Sequence, residues 1–485
     1  MTNQFSCLLL TCLLTISNVA VGEINSVVNA AKAGDTDTVK TLIQNGTDIN
    51  LPEEDGTTAL AHAAHQNNLE LTQLLLQNDA DVNARNNYGV TPAYLAAANA
   101  DVVLLEKLLE AGANPNIGLL SGETPLMVAS ERGKRDVVKL LLEHDADPNA
   151  REDNAGQTAL MWAVAEQHEE IADLLVEYEA DVNLRTNTGF SPILFAVQQG
   201  SVDTVGALLS AGADVNEKIQ KSGLTPLMIA SVGGYEDVVR LLLDEGADPN
   251  SVNKDGITPL HEAAKDEQAI GIIKALLASG ADPNAQIKHP NPVKGGAIIN
   301  QGSYGGARAP SGVSYQGATP LLMAAEQTNL EAIKVLIEAG ADPFIPTDQN
   351  VTALMMAAGG GTGLANTPAV EPPLALEIVE YLHGLGGDLN TVGQFGWTPL
   401  HSASYHGYNN VIEYLLKNGA NPNVFDGFGQ TPLSISYAIV TEGMGDAYTQ
   451  TPRSFRRDTA DLLLSLGALP LEKSGVKIVS QRAAE

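Results

Sequence analysis

The sequence predicts an all-α repeat solenoid of about twelve helix-turn-helix units with connecting hairpin loops and three loop insertions. A Thr-Pro-Leu-like triplet recurs along the 485 residues, most intervals between copies are 33 or 34 residues, and aromatic residues make up only 5%. Thin helical layers need few large side chains, and a chain of this length exceeds one ordinary core. The triplets begin at Thr58, Thr91, Thr124, Thr158, Ser191, Thr225, Thr258, Thr319, Thr352, Thr398 and Thr431.

Each triplet predicts the start of the first helix of its unit. A Thr side chain can accept a backbone N–H as the N-cap, and Pro at the first helical position loses no donor that the helix needs. In the unit that begins at Thr124, small residues up to Ser130 let neighbouring helices approach. Gly133 then permits a tight turn into a second helix over 137–142.

The second helix is predicted to end at a glycine in most units. Gly212 is an example, because glycine tolerates the left-handed backbone at a helix C-terminus, and residues 214–216 begin the connecting turn. Asp79, Asp145 and Glu179 replace this glycine in three early units. We expect these three turns to be strained or to end differently.

Three features together resemble the ankyrin-repeat family over about residues 24–469: the period near 33, the Thr-Pro-Leu-His form at Thr258–His261 and Thr398–His401, and the Gly-Ala-Asp-x-Asn endings. The resemblance implies a curved stack of paired helices with projecting hairpin loops. It also implies that these loops and the inner helices hold protein partners. The twelve units with their insertions further resemble uncharacterised exported ankyrin-repeat proteins of environmental bacteria, which implies a role at the cell envelope.

Three intervals exceed the repeat and predict insertions. A 61-residue interval places an irregular Gly- and Pro-rich loop at 286–316, a 46-residue interval places extra residues near 359–373, and the last unit has extra residues near 441–456. Long loops on a repeat scaffold often carry function. The alternative is an insertion without function, because lengthening a surface loop costs little stability. The predicted organisation is a signal peptide at 1–22, repeats 1–8 at 23–285, the loop at 286–316, repeats 9–12 at 317–469 and a C-terminal tail at 470–485.

The N-terminal residues are typical of a signal peptide. The first 22 residues carry no charged side chain, Phe5–Ile16 form an apolar core too short to span a bilayer, and Ala20–Gly22 supply small residues before Glu23. We therefore expect cleavage before Glu23 and a periplasmic or secreted protein. Both cysteines, Cys7 and Cys12, would be removed, which leaves no disulfide or thiolate chemistry; lipidation at Cys12 is the alternative.

The charge of the chain argues against nucleic acid as a ligand. Lys and Arg total 27 against 58 Asp and Glu, and the formal net charge is −31. Such a field repels phosphate backbones. The densest basic run, Arg453–Arg457, holds only three basic residues.

No catalytic or metal-binding motif is recognisable, so the sequence predicts neither an enzyme nor a cofactor or metal site. His261 and Glu262 lack the second His of a zinc-protease helix, and we interpret His261 and His401 as side chains that brace the first helix. The Asp-x-Asn segments, such as Asp81–Asn83, lack the Gly and closing Glu of a calcium loop. We interpret them as turns.

Large side chains just before the cap and in the insertions are the candidate partner-binding residues. Apolar residues at the pre-cap position can pack on their own helix as a hydrophobic staple, which suits Val90 and Ile257. Phe190 and Trp397 are larger than a staple needs, and Tyr405 and His406 could share a surface with Trp397. The predicted partner-binding residues are Phe190, Trp397, Tyr405, His406, Tyr304, Arg308 and Tyr315.

These observations predict a monomeric exported scaffold that binds a protein or peptide partner through its concave face and inserted loops. A cell-wall or carbohydrate-binding module is the alternative, because Trp397, Tyr405, Tyr304 and Tyr315 are exported aromatic residues that could contact a glycan. An enzyme with its site in the insertions is the third hypothesis. It lacks a recognisable pair of nucleophile and base.

Overall fold

The computed structural model describes residues 26–288, 315–360, 373–393, 396–441 and 455–481. The chain divides into two compact units, the first up to Pro192 and the second from Ile193. The predicted signal peptide and most of the 286–316 loop lie outside the described residues. In the described ranges, no helix is both long enough and apolar enough to cross a membrane.

The first unit is a stack of five helix pairs. The first helix of each pair packs on the first helix of the next, and the second helices form a parallel layer in the same way. Its helices are α1 (Val27–Lys32), α2 (Thr36–Gln44), α3 (Ala59–His65), α4 (Leu69–Gln77), α5 (Pro92–Asn99), α6 (Val102–Glu110), α7 (Pro125–Glu131), α8 (Arg135–Glu143), α9 (Ala159–Ala165) and α10 (Glu169–Glu177).

The second unit continues the same repeat with seven helix pairs, so the prediction of about twelve helical units is confirmed. One first helix, α19, continues as a π-helical turn over Met356–Gly360. The helices are α11 (Pro192–Gln199), α12 (Val202–Ser210), α13 (Pro226–Gly233), α14 (Glu236–Asp244), α15 (Pro259–Ala263), α16 (Ile270–Ala278), α17 (Pro320–Glu326), α18 (Leu330–Glu338), α19 (Ala353–Met355), α20 (Ala375–Gly384), α21 (Pro399–His406), α22 (Asn409–Lys417), α23 (Pro432–Ser436), α24 (Arg457–Ser465) and α25 (Leu471–Ser474).

Threonine caps start the first helices, as the triplets predict. In the repeat at Thr91, Oγ1 accepts the Tyr94 N–H at 3.1 Å, which satisfies one of the free donors of the first turn. Ser26 takes this role in the first repeat. The same Thr cap is present at Thr58, Thr124, Thr158, Thr225, Thr258, Thr319, Thr352, Thr398 and Thr431.

The three acidic residues that replace glycine adopt the left-handed backbone. Gly212 has a φ of 94°, while Asp79, Asp145 and Glu179 have φ values of 61°, 63° and 64°. The turn geometry is therefore kept, and each non-glycine residue adds strain of about 1 kcal/mol. The first of the two expected outcomes, strain rather than a different ending, is the one observed.

An asparagine at the end of each Asp-x-Asn turn joins successive repeats. Asn50 Nδ2 donates to the Asp79 carbonyl at 3.2 Å, and Asn50 Oδ1 accepts the Asp81 N–H at 2.8 Å. Within each turn the Asp accepts the Asn N–H, as between Asp81 and Asn83 at 2.9 Å, which confirms the interpretation as turns. We call these residues the asparagine ladder; the other members with both bonds are Asn83, Asn116 and Asn149 in the first unit and Asn216, Asn250, Asn284, Asn390 and Asn423 in the second.

Backbone hydrogen bonds join the two ends of the insertion at 286–316. The Ile287 N–H donates to the Ala318 carbonyl at 3.1 Å, and the Gly317 N–H donates to the Ile287 carbonyl at 2.8 Å. Residues 289–314, with Tyr304 and Arg308, lie outside the described part of the chain. The two ends of the loop are thus held together as neighbouring backbone.

The C-terminal tail contains a helix and a strand that the sequence analysis did not predict. Strand β1 (Ile439–Thr441) pairs antiparallel with β2 (Ile478–Gln481), and Ile439 lies opposite Gln481. This two-stranded ribbon joins the tail to the start of the 441–456 insertion. It is a small addition to an otherwise helical repeat fold.

Substitution of one ladder residue tests the contribution of the ladder to stability. Asn83→Ala removes the bonds to the Gly112 carbonyl at 3.0 Å and the Asn114 N–H at 2.8 Å. We expect the free energy of unfolding, measured by urea titration, to fall by about 1 to 2 kcal/mol. The control Asn45→Ala changes an exposed residue outside the ladder and should stay within about 0.5 kcal/mol of the wild type. Equal losses in the two variants would show that the ladder does not stabilise the stack.

Candidate partner-binding surface

Trp397, Tyr405, His406 and Tyr408 form one aromatic cluster at helix α21 and the turn that follows it. The ring centroids are 5.8 Å apart for Trp397 and Tyr405, 5.1 Å for Tyr405 and His406, and 5.4 Å for His406 and Tyr408. These distances are typical of aromatic pairs that stabilise each other. Tyr408 is buried, whereas the other three are partly exposed. The structure therefore brings together three of the predicted residues on one surface.

The His401 ring packs against the indole of Trp397. Its Nδ1 lies 2.8 Å from the Thr398 hydroxyl, its Nε2 lies 3.4 Å from the Gln430 carbonyl, and its ring stacks on Trp397 at 6.3 Å. His261 makes the same contacts with Thr258 and with the Ala318 carbonyl. Burial lowers the pKa of each of these two histidines to about 4, so both are neutral at pH 7. The prediction that they brace the first helix is confirmed.

Asp426 lies beside the indole of Trp397. Its Oδ1 accepts the N–H groups of Phe428 and Gln430 at 2.9 Å and 2.7 Å. Burial raises the pKa of Asp426 to about 6, and these two backbone N–H groups oppose the rise. Part of the Trp397 surface remains accessible.

His406 connects the cluster to the beginning of one insertion and the end of another. A β-carbon at Gly359, where the 359–373 insertion begins, would lie 2.8 Å from His406 Cδ2, so the positive φ of 110° is not the only reason for glycine there. Burial and the charge of Arg456, which ends the 441–456 insertion, lower the pKa of His406 to about 4, while a hydrogen bond with the Gly359 backbone acts in the opposite direction. The sequence analysis treated the two insertions and the cluster separately; the structure places one end of each insertion, Gly359 and Arg456, beside α21.

Arg456 is a residue that the sequence analysis passed over. A β-carbon at Gly407 would lie 2.9 Å from Arg456 Nη1, so the Arg side chain lies directly over the turn after α21. Burial lowers the pKa of its guanidinium, and Tyr405 and Tyr408 act against this shift. Its position in the basic run 453–457 was visible in the sequence, but its contact with a residue 49 positions earlier was not.

The remaining predicted residues have other surroundings. Phe190 is only 8% exposed, and its backbone N–H donates to the Thr186 hydroxyl. Its burial favours a packing role and disagrees with the expected exposed contact. Tyr315 donates its hydroxyl to Glu326 on α17, where burial raises the pKa of Glu326 to about 7. Tyr315 therefore attaches the end of the 286–316 loop to a first helix.

Within the described ranges, no three His, Cys, Asp or Glu side chains lie close enough together to hold a metal ion. The Nε2 atom of His62 on α3 lies 3.1 Å from the Glu53 carboxylate instead.

Three protein-family models of ankyrin repeats match the chain. The one described as ankyrin repeats (3 copies) matches residues 27–118, 103–186, 151–219 and 193–287. Ankyrin repeats (many copies) matches 382–436, and ankyrin repeat matches 316–348.

Two curated proteins are similar over part of the chain. Ankyrin repeat and SOCS box protein 16 of Mus musculus is 30% identical over 124 residues, which are 26% of this chain and 26% of that protein. Ankyrin repeat and SOCS box protein 3 of Bos taurus is 34% identical over 126 residues, which are 25% of this chain and 21% of that protein. The chain thus spans about a quarter of the length of these relatives or less.

The lowered pKa of His406 predicts an acid-dependent loss of stability. The folded-state pKa of about 4 lies below the ordinary value of 6.5, so the unfolded state binds the proton first as the pH falls from about 6.5 to 4. The wild type should lose about 2 kcal/mol more than His406→Gln over this range. Urea unfolding of both proteins at several pH values measures this, and the difference at pH 7 reports the packing change alone. A difference that stays constant with pH would contradict the burial of His406.

Proposed function

The chain belongs to the ankyrin-repeat family, and from this membership we propose that it is a monomeric exported scaffold that binds a protein or peptide partner. Ankyrin repeats generally mediate protein–protein interaction. Their members are typically non-enzymatic, and we propose no catalytic activity for this chain. The proposed contact surface is the aromatic cluster at α21, beside Gly359 and Arg456 at the ends of two insertions. Most residues of these insertions, which the proposal includes, lie outside the described part of the chain.

The observation that carries this proposal is the partly exposed pair Trp397 and Tyr405, with ring centroids 5.8 Å apart. Large aromatic side chains that are already held in place lose little conformational entropy on binding, and Trp and Tyr are enriched among residues that dominate binding energies. The His401 ring packs against the indole before any partner arrives.

Export and the exclusion of nucleic acid complete the proposal. The uncharged, apolar start of the chain supports export, and the net charge of −31 supports a partner other than nucleic acid. The acidic field also disfavours self-association, which supports a monomer.

A cell-wall or carbohydrate ligand is the second candidate, and the same aromatic pair is the reason to keep it. The rings of Trp397 and Tyr405 are tilted by 52° and present flat apolar faces. Such faces provide the apolar part of a ligand site. The carbohydrate hypothesis predicts that the wild-type protein is retained on envelope polysaccharide and that the Trp397→Ala variant is not.

Affinity capture with matched variants tests the binding surface. The mature chain from Glu23 is immobilised, exposed to native cell-envelope extract, and compared with Trp397→Ala and with the control Phe425→Ala, which removes an exposed aromatic ring elsewhere in the second unit. We expect a protein that the wild type and the control retain and that Trp397→Ala releases, with affinity lowered about tenfold or more. Loss with both variants, or with neither, would contradict the proposed surface. Retention of glycan without protein would favour the second candidate.

Export is tested by the N-terminus of the protein recovered from the cells that produce it. Mass spectrometry should find a chain that begins at Glu23, in the periplasmic or secreted fraction, because small residues at 20 and 22 suit the cleavage enzyme. An intact Met1 in the cytoplasmic fraction would contradict export. A lipid attached at Cys12 would instead indicate the lipoprotein alternative.

A further inference from the structure

Arg456 carries a positive charge in a partly buried place, and no Asp or Glu among the described residues forms an ion pair with it. Its backbone N–H donates to the Ser436 carbonyl at 2.9 Å, which fixes the residue just before α24. Its side-chain Nε is buried and has no hydrogen-bond partner among the described residues. Burial lowers the pKa of its guanidinium, and Tyr405 and Tyr408, rather than any carboxylate of the described ranges, oppose this shift.

A buried guanidinium with an unused donor is costly to the folded state. A buried charge that lacks its partner is destabilising by several kcal/mol, and a buried N–H without an acceptor adds to the cost. The chain has 58 acidic residues, so it contains many carboxylates that could have paired with Arg456. Nε itself is buried, so an anion from outside would offset this cost by meeting the Nη atoms of the partly exposed side chain.

No Asp or Glu in the described part of the chain forms an ion pair with Arg456, and the neighbouring Arg457 pairs with Asp461 instead. His406 is neutral at pH 7 because burial and Arg456 itself lower its pKa to about 4. The site therefore offers one positive charge, a planar fork of N–H donors and aromatic walls.

We propose that Arg456 binds one carboxylate of a peptide partner, while an apolar side chain next to that carboxylate contacts Trp397 and Tyr405. This assignment rests on the proposed function and names the chemistry that the partner must carry. The guanidinium fork suits a carboxylate, which it can hold through two parallel hydrogen bonds. Trp397 adjoins Tyr405, and Arg456 lies over the turn at Gly407, two residues after Tyr405, so one short peptide segment can reach both.

A single carboxylate fits the charge of the site better than a phosphate group. A phosphate monoester carries between one and two negative charges near pH 7, and the rest of this chain has a net charge of −31 that repels it. One guanidinium can neutralise one carboxylate. The more highly charged anion would remain uncompensated in a partly buried site.

Hippurate, a benzoyl group joined to a glycine carboxylate, is the probe, and uncharged hippuramide is its matched counterpart. The protein is the full mature chain with Trp162→Phe, which leaves Trp397 as the only tryptophan, and binding is followed by Trp397 fluorescence. We expect hippurate to bind about tenfold more tightly than hippuramide. Arg456→Gln should remove this preference and leave the weak binding of hippuramide unchanged.

Arg457→Gln is the control, because Arg457 is the exposed neighbour and lies 4.0 Å from Asp461. It should keep the tenfold preference. Arg456→Lys, which keeps the charge and loses the fork, should retain only part of it and serves in place of Arg456→Gln if that variant does not fold by circular dichroism. Equal binding of hippurate and hippuramide by the wild type would overturn the proposal, as would equal losses in the two Gln variants or tighter binding of inorganic phosphate than of hippurate.

The test is independent of partner capture. Failure to recover any protein would contradict the scaffold function while hippurate preference could still establish the carboxylate site. Capture of a protein by way of Trp397, without any hippurate preference, would instead support the scaffold and overturn the role of Arg456.

Discussion

The asparagine ladder is the interaction on which the repeat architecture depends. Each ladder residue binds two backbone groups of the next repeat, so the turn of one repeat sets the position of the turn that follows. The bonds are local to neighbouring repeats, and each interface contributes separately to stability. The ladder also explains how the 286–316 insertion is accommodated: Asn284 still binds the Gly340 carbonyl at 2.9 Å and the Asp342 N–H at 2.7 Å, across the inserted residues. The hydrogen bonds between successive turns therefore continue across the insertion.

One step of the ladder has a different residue, and the repeat beyond it is the least regular. Phe344 occupies the asparagine position, is 47% exposed, and cannot form the two side-chain hydrogen bonds. The following repeat has a short first helix that continues into the π-helical turn Met356–Gly360. Gly359 in this segment has a non-helical backbone with a φ of 110°. A β-carbon there would lie 2.8 Å from His406, so this break in the helix places Gly359 against the aromatic cluster.

The parts of this structure that follow from local rules could be predicted from the sequence. Thr caps, turn glycines and the bracing by His261 and His401 each depend on residues a few positions apart within one repeat, and the period of 33 multiplies the signal. The pairing of β1 with β2 could not be predicted, because the two strands are short and about 40 residues apart. The contact of Arg456 with the turn at Gly407 depends on where a long insertion returns, which periodicity does not determine. For Phe190 the sequence suggested more than the structure supports. Its size indicated a partner-binding residue, but the side chain is only 8% exposed, and a large apolar side chain serves equally well in packing.

Specificity in a repeat protein must come from positions where one repeat differs from the others. Five repeats place a small or aliphatic residue before the cap, namely Val90, Leu224, Ile257, Ala318 and Val351, and most repeats close their turns with the same hydrogen bonds. The repeat at Thr398 has an indole at that position, a partly exposed imidazole at the end of its first helix, and an Arg side chain over its turn. The first two features belong to one segment of the chain, and the third comes from the end of the 441–456 insertion. Because the regular repeats already hold the backbone, the irregular residues are free to serve recognition, and their convergence on α21 is the physical reason to look for the partner there.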